Sequence, residues 1–300
     1  MSTHSPTRAT ASGDRRYPRF AVKINRFIFR VLGRHLPNLM SSYAFHLWSR
    51  THRLDAPARE QRLQLRASEC SLTVNGINIA AWTWGSGPSV LLVHGWNGRG
   101  MQLGNLVDPL ISAGYQVIAF DAPGHGQSGA KHTHLLQIRD VILALSQRHG
   151  PFHTAIGHSF GVAALSAAVT SGMMVANLVA ISSPGGLNRL IQRYCEAMHI
   201  PANTEHCLRQ RLERRIGEPL WQQFAESYPL NNMVERSLII HDKEDNWVDW
   251  RESEKLNQSW PNSELLLTEG LGHGRILRAP ALKRKIIDFI DNSVFCDPLD

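Results

Sequence analysis

Short apolar runs alternate with helical patterns from about residue 90 onward, and this alternation constrains the fold more than any other feature of the chain. Such runs predict buried parallel strands joined by right-handed helical crossovers. We therefore predict an α/β fold with a mostly parallel sheet flanked by helices, whose functional residues lie at the carboxyl ends of the strands. The predicted strands are Val90–Val93, Val117–Phe120, Thr154–Ile156, Leu178–Ile181, Leu238–Ile240 and Leu265–Leu267.

Two other segments complete the predicted domain. Cys70–Val74 and Ile77–Trp84 alternate like strands around Asn75-Gly76, a strong hairpin signal, so two antiparallel strands are expected to open the sheet. The interval 184–234 is rich in charges and helix formers and contains no convincing strand, which predicts a helical cap. We assign residues 57–300 to one domain that carries this cap.

The N-terminal part of the chain is strongly basic. Residues 1–66 hold 13 Arg or Lys against 3 Asp or Glu, whereas the whole chain has a net charge of +7. The remainder is therefore slightly acidic, which argues against nucleic-acid binding by the body of the protein. We predict a disordered start over residues 1–18 and a basic amphipathic helical arm over residues 19–56.

The arm has two interpretations. It is either a helix packed on the body with a solvated charged face, which is the default, or a helix that docks on an anionic membrane surface. The apolar residues at helical spacing are Ile24, Phe27, Ile28, Val31 and Leu32, and the basic ones on the other side are Lys23, Arg26, Arg30 and Arg34.

Location is predicted from what the sequence does not contain. No stretch reaches the roughly 18 apolar residues of a membrane span, and the polar first 16 residues lack the apolar core of a signal peptide. We therefore expect a cytoplasmic protein, peripheral at the inner membrane surface if the arm docks there. The four cysteines lack CxxC spacing and are expected to be reduced thiols, with no metal site.

The motif Gly157-His158-Ser159-Phe160-Gly161 follows a predicted strand and precedes a helix of small residues. In this context a G-x-S-x-G sequence predicts a sharp turn that exposes a nucleophilic serine, Ser159. The amide of Phe160, at the start of the helix, is expected to bind an oxyanion. The second donor is predicted to be the amide of Trp96, in the loop after an earlier strand.

A serine hydroxyl needs a general base and a carboxylate that orients the base. His273 lies just beyond the last predicted strand and is the best candidate for the base. Asp245 lies between Ser159 and His273, four residues after His241 at the end of a predicted strand, and is the preferred acid; Asp242 and Glu244 compete with it. Other histidines near strand ends are expected to brace loops (His94, His158 and His241) or to lie at the surface or in turns (His132, His134 and His153).

These motifs together resemble the α/β-hydrolase superfamily over about residues 69–293. The resemblance rests on the segments 90–96, 120–128, 157–161, 241–248 and 270–273. It implies an eight-stranded sheet with a helical cap between the sixth and seventh strands, and no metal or organic cofactor. Asp242 and Asp249 stand where the acid loop of the family usually has glycine and proline. A serine nucleophile also differs from the aspartate of the epoxide-hydrolase and dehalogenase branches.

The expected function is a serine hydrolase that cleaves a small-molecule ester or thioester through an acyl-enzyme. Gly124–Gly129 matches a dinucleotide fingerprint in form, but no acidic residue follows at the required spacing, so a turn brace is preferred. The alternative that stays open is a non-catalytic binding protein on the same scaffold. In the cap, Trp221, Phe224 and Tyr228 either line an acyl pocket or pack their helix on the core. Oligomeric state is left open.

Overall fold

The computed structural model describes residues 19–230 and 234–291. The predicted disorder over 1–18 and Cys296 lie outside the described residues. The strands are β1 Ser68–Glu69, β2 Leu72–Val74, β3 Ile77–Ile79, β4 Ala81–Trp84, β5 Ser89–Val93, β6 Gln116–Phe120, β7 Phe152–His158, β8 Val175–Ile181, β9 Arg236–Asp242 and β10 Ser263–Thr268. Eight of them form one sheet in the order β1-β4-β6-β5-β7-β8-β9-β10. The first two pairings are antiparallel and the others are parallel, as predicted for an α/β-hydrolase fold.

Helices cover both faces of this sheet, and each face has its own hydrophobic core. The central strand β7 is buried along its whole length, which explains why it reads as a continuous run rather than an alternation. The helices are α1 Arg19–Leu32, α2 Pro37–Ser49, α3 Ala58–Gln64, α4 Val107–Ser112, α5 Leu135–His149, α6 Phe160–Thr170, α7 Leu187–Met198, α8 Ala202–Ile216, α9 Glu218–Phe224, α10 Arg251–Ser259, α11 Gly272–Arg275 and α12 Pro280–Asp291.

The prediction for the entry to the sheet was wrong in one respect. The hairpin around Asn75-Gly76 forms, but its strands β2 and β3 make a separate two-stranded sheet. The second hairpin arm is interrupted at Ala80, whose amide donates to the Ser128 hydroxyl at 2.9 Å instead of to a strand. Beyond this break β4 joins the main sheet, where it pairs with β1 and β6.

Three helices, α7, α8 and α9, lie between β8 and β9, in the interval predicted as a cap. Two of the three aromatic residues singled out there, Phe224 and Tyr228, are fully buried, and the Tyr228 hydroxyl donates to the Gly185 carbonyl at 2.8 Å. Trp221 lines a cavity beneath the cap helices. All three aromatic side chains therefore belong to the hydrophobic core, and Trp221 in addition lines this cavity.

The basic arm forms two helices, α1 and α2, which pack on the cap. Asn25 and Phe29 face inward; the Asn25 side chain accepts a hydrogen bond from the Tyr43 hydroxyl at 2.7 Å. The Thr204 hydroxyl of α8 donates to the Gly33 carbonyl at 2.7 Å, just beyond α1. Within the described ranges, no helix has the length and apolar content needed to cross a membrane.

The packing of α1 predicts unequal effects for two neighbouring phenylalanines. Phe29 is fully buried, so Phe29→Ala is expected to lower the free energy of unfolding by about 3–5 kcal/mol. Phe27 is 66% exposed, and Phe27→Ala should change it by less than about 0.5 kcal/mol. Urea denaturation followed by circular dichroism measures both values. Equal changes in the free energy of unfolding for the two variants would contradict the observed orientation of α1.

Candidate active site

Ser159 occupies a strained turn between β7 and α6. Its backbone has φ 53° and ψ −125°, a conformation that non-glycine residues rarely adopt. The turn is tight because both flanking glycines touch backbone atoms: a Cβ on Gly157 would lie 2.9 Å from the Val162 nitrogen, and one on Gly161 would overlap the Val93 carbonyl oxygen. The two glycines of the G-x-S-x-G motif are therefore required for a steric reason, because a side chain at either position would clash with its neighbours.

His273 and Asp245 form a close pair. The Nδ1 of His273 lies 2.7 Å from Oδ2 of Asp245, and the Asp245 side chain is fully buried. The other carboxylate oxygen accepts hydrogen bonds from the amides of Trp247 at 2.7 Å and Val248 at 3.0 Å. The carboxylate therefore fixes the imidazole as the tautomer with a proton on Nδ1, which leaves Nε2 able to accept a proton.

A second imidazole supports the same carboxylate. His241 Nε2 lies 3.3 Å from Asp245 Oδ2, and the Ser253 hydroxyl is 2.6 Å from the His241 Nδ1. Burial alone would raise the pKa of Asp245, but hydrogen bonds from His241 and His273 outweigh burial and hold that pKa well below its usual range. Asp245 is therefore ionised at neutral pH.

Asp242, which competed for the role of the acid, holds the histidine loop instead. Its carboxylate accepts hydrogen bonds from the amides of Leu271 at 3.0 Å and Gly272 at 2.8 Å, and from the Thr268 hydroxyl at 2.7 Å. His273 follows directly and lies in the short helix α11. Glu244, the other competitor, is exposed.

His158 links the serine turn to the histidine loop. Its Nε2 donates to the carbonyl oxygen of His273 at 3.0 Å, and the two rings are 4.8 Å apart between centroids. Burial and the neighbouring His273 lower the pKa of His158 to about 3, so it stays neutral. The sequence predicted only that His158 braces a loop. Its position next to Ser159 in the chain was the feature that could have indicated the contact with the histidine loop.

No hydrogen bond joins the Ser159 hydroxyl to His273 among the residues that the structure describes. Contacts between a nucleophile and its base are often long in unliganded enzymes and tighten when substrate binds. The two loops are in contact through His158, which precedes Ser159 in the chain and donates a hydrogen bond to the His273 carbonyl.

The amides of Trp96 and Phe160 are both available as donors. Neither donates a hydrogen bond to another residue in the described part of the chain. The preceding Gly95 lies against Ser159, since a Cβ on Gly95 would be 3.0 Å from the Ser159 Cβ. The Trp96 and Phe160 rings meet edge to face, with 5.2 Å between centroids. This contact brings the two donor loops together beside Ser159.

Neutral histidines brace the loop that carries Trp96. His94 Nε2 accepts the Ala122 amide at 3.0 Å, and His125 Nε2 accepts the Asn97 amide at 3.0 Å. Burial lowers the pKa of His94 to about 4 and that of His125 to about 3. The segment 124–129 is therefore a structural brace. The prediction for His153 was wrong, because this residue is buried in β7 and contacts the Thr154 hydroxyl.

Metal ligands do not cluster at this site. Over residues 19–230 and 234–291, no group of three or more His, Cys, Asp or Glu side chains could hold a metal ion.

The sheet order and the elbow together define an α/β-hydrolase fold, and comparison with known proteins agrees. A family model described as "Alpha/beta hydrolase family" matches residues 90–282. Because this match covers more than half of the chain, the protein belongs to the α/β-hydrolase family. An esterase of Pyrococcus furiosus shares the fold, with a TM-score of 0.60 and 19% identity over 80% of this chain and 98% of that one.

Two curated relatives match part of the chain. A human serine hydrolase-like protein is 36% identical over 104 residues, which are 31% of this chain and 49% of that protein. An epoxide hydrolase of Caballeronia sordidicola is 31% identical over 98 residues, which are 31% of this chain and 30% of that protein. The matched region thus spans about half or less of the length of these relatives.

The buried neutral histidines predict acid sensitivity. An unfolded histidine takes up a proton near pH 6.5, whereas His94, His125 and His158 do so only near pH 3–4 when folded. Because the unfolded chain binds more protons between these values, the free energy of unfolding should fall as pH drops below about 6.5. The slope should reach about 4 kcal/mol per pH unit, or about 1.4 for each histidine.

Urea denaturation at several pH values between 7.5 and 4.5 measures this slope. The variant His125→Gln should reduce the slope by about one third, whereas His35→Gln, at an exposed position, should leave it unchanged. An equal slope in the parent protein and in His125→Gln would contradict the assignment of His125 as a buried neutral imidazole.

Proposed function

We propose that the protein is a serine hydrolase that cleaves a carboxylic ester or thioester through an acyl-enzyme. The observation that carries the proposal is the buried Asp245–His273 pair, joined at 2.7 Å, at the same sheet edge as the strained Ser159. A serine, a carboxylate and an imidazole, in the chain order Ser159, Asp245, His273, are the components of nucleophilic acyl transfer. The name of the human relative, a serine hydrolase-like protein, supports the same class.

In the proposed first half-reaction, His273 Nε2 takes the proton of the Ser159 hydroxyl as its oxygen attacks the acyl carbon. Asp245 stabilises the imidazolium that forms, and the amides of Trp96 and Phe160 bind the oxyanion. The imidazolium then gives its proton to the leaving alkoxide or thiolate. Water, activated by His273, attacks the acyl-enzyme in the second half-reaction and regenerates the Ser159 hydroxyl.

Hydrolysis of p-nitrophenyl esters tests the proposal. The purified protein should release p-nitrophenol with a burst if deacylation is slow, and Ser159→Ala should abolish turnover. Asp245→Asn should lower kcat by about 10⁴-fold, because the imidazole loses its oriented tautomer.

Glu244→Gln is the matched control, because this carboxylate lies one residue away and is exposed. Its kcat should equal that of the parent protein. A folded protein without hydrolysis on any ester or thioester of the series would favour the non-catalytic binding protein instead.

The substrate pocket proposed here is a cavity of about 30 Å³ whose lining includes Phe160, the residue that follows Ser159. Its walls are mostly apolar and come from the cap, from α5 and α6, and from α2 of the arm. The lining includes Phe45, Trp48, Leu187, Leu212 and Trp221. A cavity this small has room for about two water molecules, so we propose a short acyl group as its occupant.

This pocket predicts a preference for short acyl chains, and one substitution in its lining should change that preference. The parent protein should favour acetyl and butyryl esters over octanoyl esters, because Trp221 is buried and limits the cavity. Trp221→Ala should move the optimum of kcat/KM toward longer chains. Gln222→Ala, at an adjacent exposed position, is the control and should leave the optimum unchanged. An unchanged optimum in Trp221→Ala would exclude this cavity as the acyl pocket.

A further inference from the structure

Helix α1 has a buried face, a solvated basic face and, in addition, an exposed apolar face. The buried face holds Asn25 and Phe29. The opposite face carries an apolar stripe at helical spacing. Its members are Phe20, which is 73% exposed, Ile24 at 41%, Phe27 at 66% and Val31 at 44%. A row of large apolar side chains in water marks a contact surface.

Basic residues flank this stripe on one side. Lys23, Arg26, Phe27 and Arg30 line, together with His199 at the end of α7, a depression of about 190 Å³. Arg26 is anchored there, since its Nε donates to the Ala197 carbonyl at 2.8 Å. Residues 19–53 hold seven Arg or Lys and no Asp or Glu. The depression thus offers several N–H donors and positive charge directly beside an exposed aromatic ring.

We propose that this surface docks on an anionic phospholipid membrane. The stripe would enter the boundary between headgroups and acyl chains, and the depression would take a lipid phosphate. The basic residues add to the binding free energy that the apolar stripe contributes, because anionic lipids create a negative surface potential that attracts positive charge. Hydrogen bonds to the cap hold α1 in place: Arg26 donates to the Ala197 carbonyl, and the Thr204 hydroxyl donates to the Gly33 carbonyl. Docking would therefore bring the whole domain to the membrane.

Charge favours a membrane over a second copy of the chain as the occupant. A two-fold dimer through this face would use the same patch on both subunits. The basic flanks around Lys23 and Arg30 would then face each other, and residues 19–53 supply no acidic side chain to offset them. Like charges across an interface oppose association, whereas phosphate headgroups neutralise them.

Co-sedimentation of the full chain with vesicles tests the proposal. The protein should bind vesicles of equal parts phosphatidylglycerol and phosphatidylcholine, and bind pure phosphatidylcholine at least tenfold more weakly, roughly the effect of a few basic contacts. Phe27→Ser and the double variant Lys23→Glu/Arg30→Glu should each lower the binding to anionic vesicles by about tenfold or more.

Matched control variants distinguish binding through α1 from nonspecific adsorption of the protein to vesicles. Leu65→Ser removes an apolar side chain that is 86% exposed elsewhere, and Arg62→Glu/Arg284→Glu reverses two exposed charges far from α1 in the sequence. These variants should bind as the parent does, and circular dichroism should verify that all variants fold. Absent binding to anionic vesicles, equal losses in the controls, or a dimer in light scattering that Phe27→Ser dissociates would overturn the proposal.

Discussion

The turn that holds Ser159 at φ 53° is the constraint on which the rest of the site depends. It forms only because Gly157 and Gly161 have no side chains where the chain passes against Val162 and Val93. The turn also begins helix α6, whose first amide belongs to Phe160. One backbone feature therefore determines where the hydroxyl projects and where the adjacent donor lies. Strain of this kind persists only when the surroundings determine it fully, and buried β7 provides that support.

A shell of buried polar groups positions the remaining residues. Asp242 holds the histidine loop through backbone amides, His241 supports the Asp245 carboxylate, and His158 joins the serine turn to the carbonyl of His273. Each of these groups makes at least one hydrogen bond in a medium of low polarity, where losing a partner is costly. Burial keeps the imidazoles of His94, His125 and His158 neutral, so these residues disfavour the folded state in acid.

The sequence predicted those parts of the molecule that follow from local pattern and order. The positions of Ser159, in a turn between a strand and a helix, and of His273, just beyond the last strand, could be predicted in this way. The entry hairpin was only partly predicted, since the break at Ala80 depends on the distant Ser128 hydroxyl. The sequence could not show that Asp245 contacts the His273 ring while Asp242 binds backbone amides, because the loops that carry these residues meet only in the folded protein. Periodicity likewise identified α1 as amphipathic but did not reveal which face Tyr43 and α7 would cover.

Labelling with a fluorophosphonate tests the central claim most directly, because this reagent reacts with a serine only when a base and an oxyanion site activate it. We predict one adduct per chain, found by peptide mass spectrometry on Ser159, with labelling lost in Ser159→Ala and strongly slowed in His273→Ala. A folded protein that takes up no label, or that is labelled at another residue, would contradict the account.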